Sequence, residues 1–105
     1  TNRIELHDNV RLGGVVSILD TDCHSLNYMD RRKGGYDRDN TKSKPVLIEE
    51  DVLIGAYSII LKGSHIGARS VIGAGSVVSG NIPSDCIAAG NPCKVIRYVN
   101  NKNER

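Results

Sequence analysis

The residue of this sequence best suited to proton transfer is His24, which stands where a regular repeat gives way to a polar segment. An imidazole titrates near neutral pH, so it can take a proton from one group and return it to another. Asp20 and Asp22 precede it, and a carboxylate or a backbone carbonyl is needed to hold the imidazole tautomer. Asp22 shares the strand face of His24 if the segment is extended. His24 and Asp22 are therefore candidates for acid–base chemistry, with the alternative that Asp22 only shapes a turn.

The cysteines offer weaker chemistry. Cys23 stands beside His24, but adjacent residues of an extended segment point to opposite sides, which argues against a nucleophilic thiol activated by that histidine. Cys23, Cys86 and Cys93 also lack the CxxC spacing of zinc sites and redox motifs. We expect all three to be reduced and mostly structural, and we predict no bound metal.

The composition is that of an ordinary soluble globular protein with room for one domain, because 39% of the 105 residues are hydrophobic and 25% are charged. With neither Trp nor Phe, the core must stack small branched side chains. No apolar run is long enough to cross a bilayer and no signal peptide is evident, so we expect a cytoplasmic protein without a membrane partner. The net charge of +2 is too small to favour nucleic acid.

A period of six residues organises most of the chain. Aliphatic residues recur at Ile48, Ile54, Ile60, Ile66, Ile72 and Val78. Companions two residues earlier are small or aliphatic: Val46, Val52, Ser58, Ser64, Ser70 and Ser76. The same register occurs upstream at Leu6, Leu12 and Ile18. A helix repeats at 3.6 and a half-buried strand at 2, so a period of six predicts short strands joined by tight corners.

Three such strands close one triangular coil, and stacked coils pair equivalent strands in parallel, so the fold class predicted is an all-β parallel β-helix. Its alternative is a small β-sandwich, but the period-two alternation and hairpin turns of that fold are not evident. We interpret His7, at a corner, and His65, which points outward between inward residues, as structural histidines without an obvious partner. His65 could line a subunit interface.

The register breaks in two places. Residues 25–44 are polar and charged and predict an extruded loop, which we interpret as functional because a histidine stands at its base. Residues 81–105 contain two turns and predict a tail that caps the last coil. The chain opens directly in repeat register at Ile4, so we expect a single domain over 1–105 that lacks N-terminal coils.

Residues 46–97 resemble the C-terminal half of bacterial hexapeptide-repeat acetyltransferases, and the segment LDTDCHSLNYMDRR at 19–32 is similar to the active-site segment of sugar O-acetyltransferases of the maltose, galactoside and polysaccharide-modifying types. This resemblance implies a left-handed β-helix, against the usual right-handed parallel crossover. It also implies that acetyl-CoA is the co-substrate and that His24 is the general base for transfer to a sugar hydroxyl.

The same resemblance implies the remaining site residues. The pantetheine arm would lie along Ala56, Ala74, Ser79 and Gly80, with Pro92 near the adenine and Lys94 and Arg97 at the phosphates. Tyr28, Arg31 and Arg32 resemble the polar loop that contacts a saccharide acceptor. Leu53 stands where many members carry a tryptophan. The family's homotrimers bind the coenzyme between neighbouring solenoids, which implies the same assembly here.

Other functions on this fold stay open at this point. An N-acetyltransferase for an amino sugar or an antibiotic, or a serine acetyltransferase, would use the same histidine. A zinc carbonic anhydrase needs three histidines around one metal, whereas His7, His24 and His65 are far apart in sequence and form no His-x4-His pair. A trimeric scaffold without catalytic activity is the alternative that is not an enzyme, and such a scaffold would tolerate the loss of His24.

Overall fold

The computed structural model describes residues 3–22, 27–32 and 43–99, and in these the strands form three sheets around a common axis. Sheet A contains β1 (Ile4–Leu6), β4 (Val46–Ile48), β7 (His65–Ile66) and β10 (Asn81–Ile82). Sheet B contains β2 (Arg11–Leu12), β5 (Leu53–Ile54), β8 (Val71–Ile72), β11 (Cys86–Gly90) and β12 (Cys93–Tyr98). Sheet C contains β3 (Ser17–Ile18), β6 (Ile59–Ile60) and β9 (Val77–Val78), and a short helix, α1, spans Tyr28–Arg31.

The strand register confirms the solenoid predicted from the period of six. Leu47 pairs with His65 in parallel, so one coil takes 18 residues, or three hexads. Glu5 pairs with Leu47, 42 positions later, so the segment between the first two coils holds 24 residues more than a regular coil. Those extra residues leave between β3 and β4, at the corner that joins sheet C to sheet A. The insertion therefore does not disturb the stacking of the coils on either side.

The core consists of the inward residues of successive coils. In the ladder of sheet A, Ile48 and Ile66 are fully buried, and the equivalent members of sheets B and C are Ile54, Ile72, Ile60 and Val78. The serines of the companion series are also buried, and their hydroxyls donate to corner carbonyls; Ser64 Oγ, for example, donates to the Val78 oxygen at 3.2 Å. Because these hydroxyls are paired, their burial carries no desolvation penalty for an unmade bond.

The corners follow from local backbone requirements. At the corner from sheet A to sheet B, Asn9, Asp51, Arg69 and Asp85 all have positive φ between 58° and 63°. At the corner from sheet B to sheet C, Gly55 lies so close to the next coil that a Cβ would be 2.5 Å from the Ala74 nitrogen. Only glycine fits such an approach.

At the far end of the solenoid, β11 pairs in parallel with β8 and in antiparallel fashion with β12. The hairpin between β11 and β12 turns at Asn91 and Pro92, and the register shifts between Ile87 and Ala88. In the ranges 3–22, 27–32 and 43–99, no helix is long and apolar enough to span a bilayer.

Candidate active site

The two ends of the inserted segment meet over the corner from sheet C to sheet A, which we call the loop corner (residues 19–22, 43–45, 61–64 and 79–80). Thr21 and Ser43 form an isolated antiparallel bridge, and the Lys44 amide donates to the Asp20 oxygen at 2.9 Å. Asp22 follows this bridge directly. His24, the predicted base, lies outside the described residues, so its place in the sequence is the basis for its role.

Asp22 is held by a cation from the next coil. The Lys62 ammonium lies 3.1 Å from Asp22 Oδ1, and the two side chains are only 25% and 20% exposed. Asp22 Oδ2 is buried, and no described residue donates a hydrogen bond to it. Oδ1 of this carboxylate is therefore fixed by an ion pair. Oδ2 is shielded from water, and no residue in the described part of the chain donates a hydrogen bond to it.

Lys62 and Gly63 form the corner on which the loop ends rest. Gly63 has a φ of +77°, and a Cβ there would lie 3.2 Å from the Lys44 side chain, which returns from the loop above it. In the following coil the Gly80 oxygen accepts a bond from the His65 amide at 3.0 Å, which places Ser79 and Gly80 next along the loop corner. The structure thus brings Asp22 to the same corner as two of the residues predicted to bind the coenzyme.

Of the predicted acceptor-binding residues, Tyr28 and Arg32 lie together. The Arg32 guanidinium stacks on the Tyr28 ring at 5.2 Å from its centroid, and both side chains are exposed. Arg31 ends α1, and its side chain lies outside the described residues. At this distance the cation is attracted by the quadrupole of the ring, so the two side chains hold each other in place.

The other predicted coenzyme residues lie on a second edge, the corner from sheet B to sheet C, which we call the alanine corner (residues 13–16, 55–58 and 73–76). Ala56 and Ala74 occupy equivalent positions one coil apart, and the Gly75 amide donates to the Ala56 oxygen at 2.9 Å. The hairpin tip continues this edge, because the Gly90 amide donates to Ser76 Oγ at 3.1 Å.

The residues predicted to meet the adenine and the phosphates lie on or beside that hairpin tip. Pro92 is at the turn itself, and Lys94 pairs with Ala89 across the hairpin. Arg97 lies further along β12, opposite Ile87. The alanine corner therefore runs from small residues to a cationic end, and sheet C separates it from the loop corner.

The expectation that His7 and His65 have no obvious partner was wrong. His7 hydrogen-bonds Glu5 at 2.7 Å, and this bond raises the pKa of His7 above its ordinary value. His65 bonds Glu49 of the preceding coil, and that bond holds the pKa of Glu49 below its ordinary value. Both pairs lie on or beside sheet A, so they support a structural interpretation of the two histidines.

Cys86 and Cys93 are free thiols in the structure, and Cys86 is fully buried. Burial raises the pKa of the Cys93 thiol, against an opposing effect of a hydrogen bond with Ser76. A raised thiol pKa disfavours the reactive thiolate. Among the described residues, no group of three His, Cys, Asp or Glu side chains is arranged to hold a metal ion.

Lys62 was not among the residues predicted from the sequence. It follows Ile60 by two positions, as Asp20 follows Ile18, and the structure stacks Ile60 on Ile18. Once the coil on each side of the insertion is aligned, this register would have placed Lys62 beneath the loop base. The alignment requires knowing that 24 residues are inserted between the two coils, and that knowledge comes from the strand pairing.

Comparison with known proteins supports the fold and its family. Residues 45–80 match the family of bacterial transferase hexapeptide proteins (six repeats). Galactoside O-acetyltransferase of Escherichia coli (strain K12) is 37% identical over 101 residues, which cover 96% of this chain and 47% of that protein. A solved structure of a galactoside acetyltransferase in complex with coenzyme A matches with a TM-score of 0.84 and 36% identity, over 97% of this chain and 48% of the other. The chain belongs to the hexapeptide-repeat transferase family.

As in its structural neighbours, the β-helix of this hexapeptide-repeat protein is left-handed, which confirms the handedness implied by the resemblance. Another relative is named for a different acetyl acceptor. The 2,3,4,5-tetrahydropyridine-2,6-dicarboxylate N-acetyltransferase of Staphylococcus aureus (strain Newman) is 46% identical over 55 residues, 52% of this chain and 23% of that protein. The chain spans less than half the length of both curated relatives.

Proposed function

We propose that this protein transfers an acetyl group from acetyl-CoA to a hydroxyl of a sugar or polysaccharide precursor. The observation that carries the proposal is the 37% identity to galactoside O-acetyltransferase across 96% of this chain, including the segment around His24 and Asp22. The fold's similarity to a coenzyme A complex of a galactoside acetyltransferase supports the choice of donor.

In the proposed reaction His24 acts as the general base. Its imidazole takes the proton of the acceptor hydroxyl while the hydroxyl oxygen attacks the thioester carbonyl carbon of acetyl-CoA. The C–S bond breaks as the tetrahedral intermediate collapses, and the imidazolium returns its proton to the departing thiolate. Asp22 is proposed to orient the imidazole, because chain connectivity alone keeps the Cα atoms of residues 22 and 24 within about 7.6 Å.

The coenzyme is proposed to follow the alanine corner. Small side chains at Ala56 and Ala74 leave backbone groups accessible, and exposed amides and carbonyls suit the amide groups of a pantetheine arm. Lys94 at the hairpin, with Arg97 further along β12, would meet the phosphates. Ser79 and Gly80 lie at the loop corner instead, so we propose that they contact the reactive end of the coenzyme near Asp22.

A homotrimer is part of this proposal. Exposed apolar side chains on two adjacent sheets support it. In the single chain, Leu53 on sheet B, Tyr57 at the following corner and Ile59 on sheet C are all exposed. Burying such residues between copies would stabilise an assembly and could bring the loop corner of one subunit towards the alanine corner of another. Light scattering of the purified protein measures the mass and tests this part directly.

The activity is tested by following release of the coenzyme A thiol with a panel of acceptors that contains a galactoside, maltose, an amino sugar and L-serine. His24→Ala is expected to lower kcat by about 10²- to 10⁴-fold, as for loss of a general base. His7→Ala is the matched control, because His7 lies at the corner from sheet A to sheet B, which sheet A separates from the loop corner, and this variant is expected to keep its activity. Equal activity of the His24→Ala and parent proteins would contradict the proposed role of the base.

Coenzyme binding is measured separately by calorimetry with acetyl-CoA. A Lys94→Glu and Arg97→Glu double variant is expected to weaken binding without changing the oligomeric size. A folded parent protein that neither binds acetyl-CoA nor releases thiol would favour the non-catalytic scaffold.

N-acetylation is the second candidate, and the N-acetyltransferase relative with 46% identity over 55 residues favours it. The panel distinguishes the two, because an O-acetyl ester is cleaved by hydroxylamine whereas an N-acetyl amide is stable to it. Product from the amino sugar that survives hydroxylamine would replace the O-acetyl proposal with the N-acetyl one.

A further inference from the structure

We propose that Lys62 is a positioning residue that acts on the reaction through Asp22. This inference rests on the proposed acetyl transfer and deepens it by naming a second residue on which the catalytic base depends. Lys62 belongs to the coil after the loop, so it would fix the loop base to a rigid part of the solenoid.

The first argument is the geometry of the ion pair. Lys62 Nζ lies 3.1 Å from Asp22 Oδ1, and both side chains are mostly withdrawn from water. Screening by salt is weaker for such a pair than for one on the open surface. Lys62 also stands beside Gly63, whose lack of a Cβ lets the returning Lys44 side chain pass over the corner. Lys62 therefore contacts one end of the loop base and directly precedes the residue that supports the other end.

The second argument is that the two carboxylate oxygens of Asp22 have different environments. Asp22 Oδ2 is buried, and within the described ranges no group donates to it. A buried acceptor without a donor carries an uncompensated desolvation penalty, which is larger when the group is charged. Such a cost is common where a ligand or a reacting group supplies the missing donor. Lys62 would hold Oδ1 so that Oδ2 stays available to the N–H of the His24 imidazole.

An ion pair elsewhere in the solenoid shows the contrasting arrangement. Arg69 and Asp85 also connect successive coils, at the corner from sheet A to sheet B, but both oxygens of Asp85 accept bonds, at 2.6 and 2.9 Å. These side chains are more exposed, at 47% and 35%. A purely structural pair between coils can thus satisfy its carboxylate completely, whereas the pair at the loop corner leaves one oxygen open.

The test compares five variants of the full chain at saturating acceptor and varied acetyl-CoA, so that kcat and the KM for acetyl-CoA are both measured. Lys62→Met is expected to lower kcat by about 10- to 100-fold, the usual effect of losing a group that orients a reacting side chain, with little change in the KM for acetyl-CoA. Lys62→Arg keeps the cation and is expected to retain more of kcat than Lys62→Met. Arg69→Met removes the other pair between coils and is the matched control, with kcat unchanged. On an Asp22→Asn background, Lys62→Met is expected to cost little further, because the residue acts through Asp22.

Each contrary outcome overturns the inference in an identifiable way. Parental kcat in Lys62→Met, or losses that are fully additive with Asp22→Asn, would show that Lys62 does not act through the carboxylate. Equal losses in Lys62→Met and Arg69→Met would show a general effect of weakened stacking. If the parent itself transfers no acetyl group, the proposed function has failed instead. Exchange of the Lys44 amide then tests the anchoring of the loop base alone, and equal protection in the parent and Lys62→Met would overturn that too.

Discussion

Leu12 and Ile54 occupy the same inward position in consecutive coils and pair directly in the register of sheet B, yet their environments differ completely. Ile54 is 0% exposed, whereas Leu12 is 47% exposed because no described coil lies beyond it. Both residues occupy the same position in the six-residue repeat. The comparison shows that the pattern determines where a side chain points, whereas burial requires a coil stacked on each side.

Truncating both residues gives the strongest test of this difference in burial. Ile54→Ala is expected to lower the free energy of unfolding by about 2–5 kcal/mol, because it leaves a cavity between packed coils. Leu12→Ala removes a half-exposed side chain and is expected to cost less than half as much. Urea unfolding of the two variants measures the difference. Equal losses would mean that the first coil is covered in solution.

The second comparison concerns glycines at the alanine corner. A methyl group at Gly55 would meet the Ala74 backbone, so Gly55→Ala is expected to cost about 1–3 kcal/mol through forced backbone shifts. A Cβ at Gly14 would have no atom within 4 Å. The free energy of unfolding of Gly14→Ala is therefore expected to stay within about 0.5 kcal/mol of the parent value. Thermal unfolding of both variants checks the ranking, and a harmless Gly55→Ala would mean that the coils are spaced more widely there.

The third comparison uses the positive-φ position of the same corner, which is Val15 in the first coil, Tyr57 in the second and Gly75 in the third. A β-branched residue at a φ of 55° is strained, whereas asparagine tolerates this region. Val15→Asn is expected to raise the free energy of unfolding by about 1 kcal/mol. Val15→Ile keeps the branch and serves as the control. No gain in Val15→Asn over Val15→Ile in urea unfolding would contradict the expected strain.

The smallest expected effect is the pH dependence of the pair between Glu5 and His7 in the exposed first coil. The bond to Glu5 raises the pKa of His7 above 6.5, so its contribution to stability is present below that value and is lost as the pH rises through the raised pKa. Bonds from His7 and then attraction by Arg3 lower the pKa of Glu5 below 4.5, so its contribution is lost as the pH falls through the lowered pKa.

His7→Gln should therefore be less stable than the parent mainly between about pH 4.5 and 6.5, and the difference should vanish at high pH. Thermal unfolding across a pH series measures this. A difference that stays constant with pH would mean that the pair does not depend on charge.

Most of the solenoid was predictable from the sequence, because inward direction depends on a local period that survives from Val46 to Val78. The interruption of that period between Ile18 and Pro45 is also visible in the sequence, and the extruded loop over 25–44 stays a prediction. The partners of the outward residues were not predictable. His65 and Glu49 are 16 positions apart, and only the stacking of β7 on β4 brings them together.

The sequence by itself therefore determined the repeat, the inward ladders and the candidacy of His24, because each depends on residue type and spacing along a short stretch of chain. Only the tertiary structure decided that Lys62 holds Asp22, forty positions earlier, and that Asp22 shares a corner with Ser79 and Gly80. The physical reason is the 24-residue insertion, which preserves the six-residue repeat but hides the register in which strands of the first two coils pair. Parallel strand pairing restores that register, and it does so through hydrogen bonds of the backbone that no side-chain pattern records.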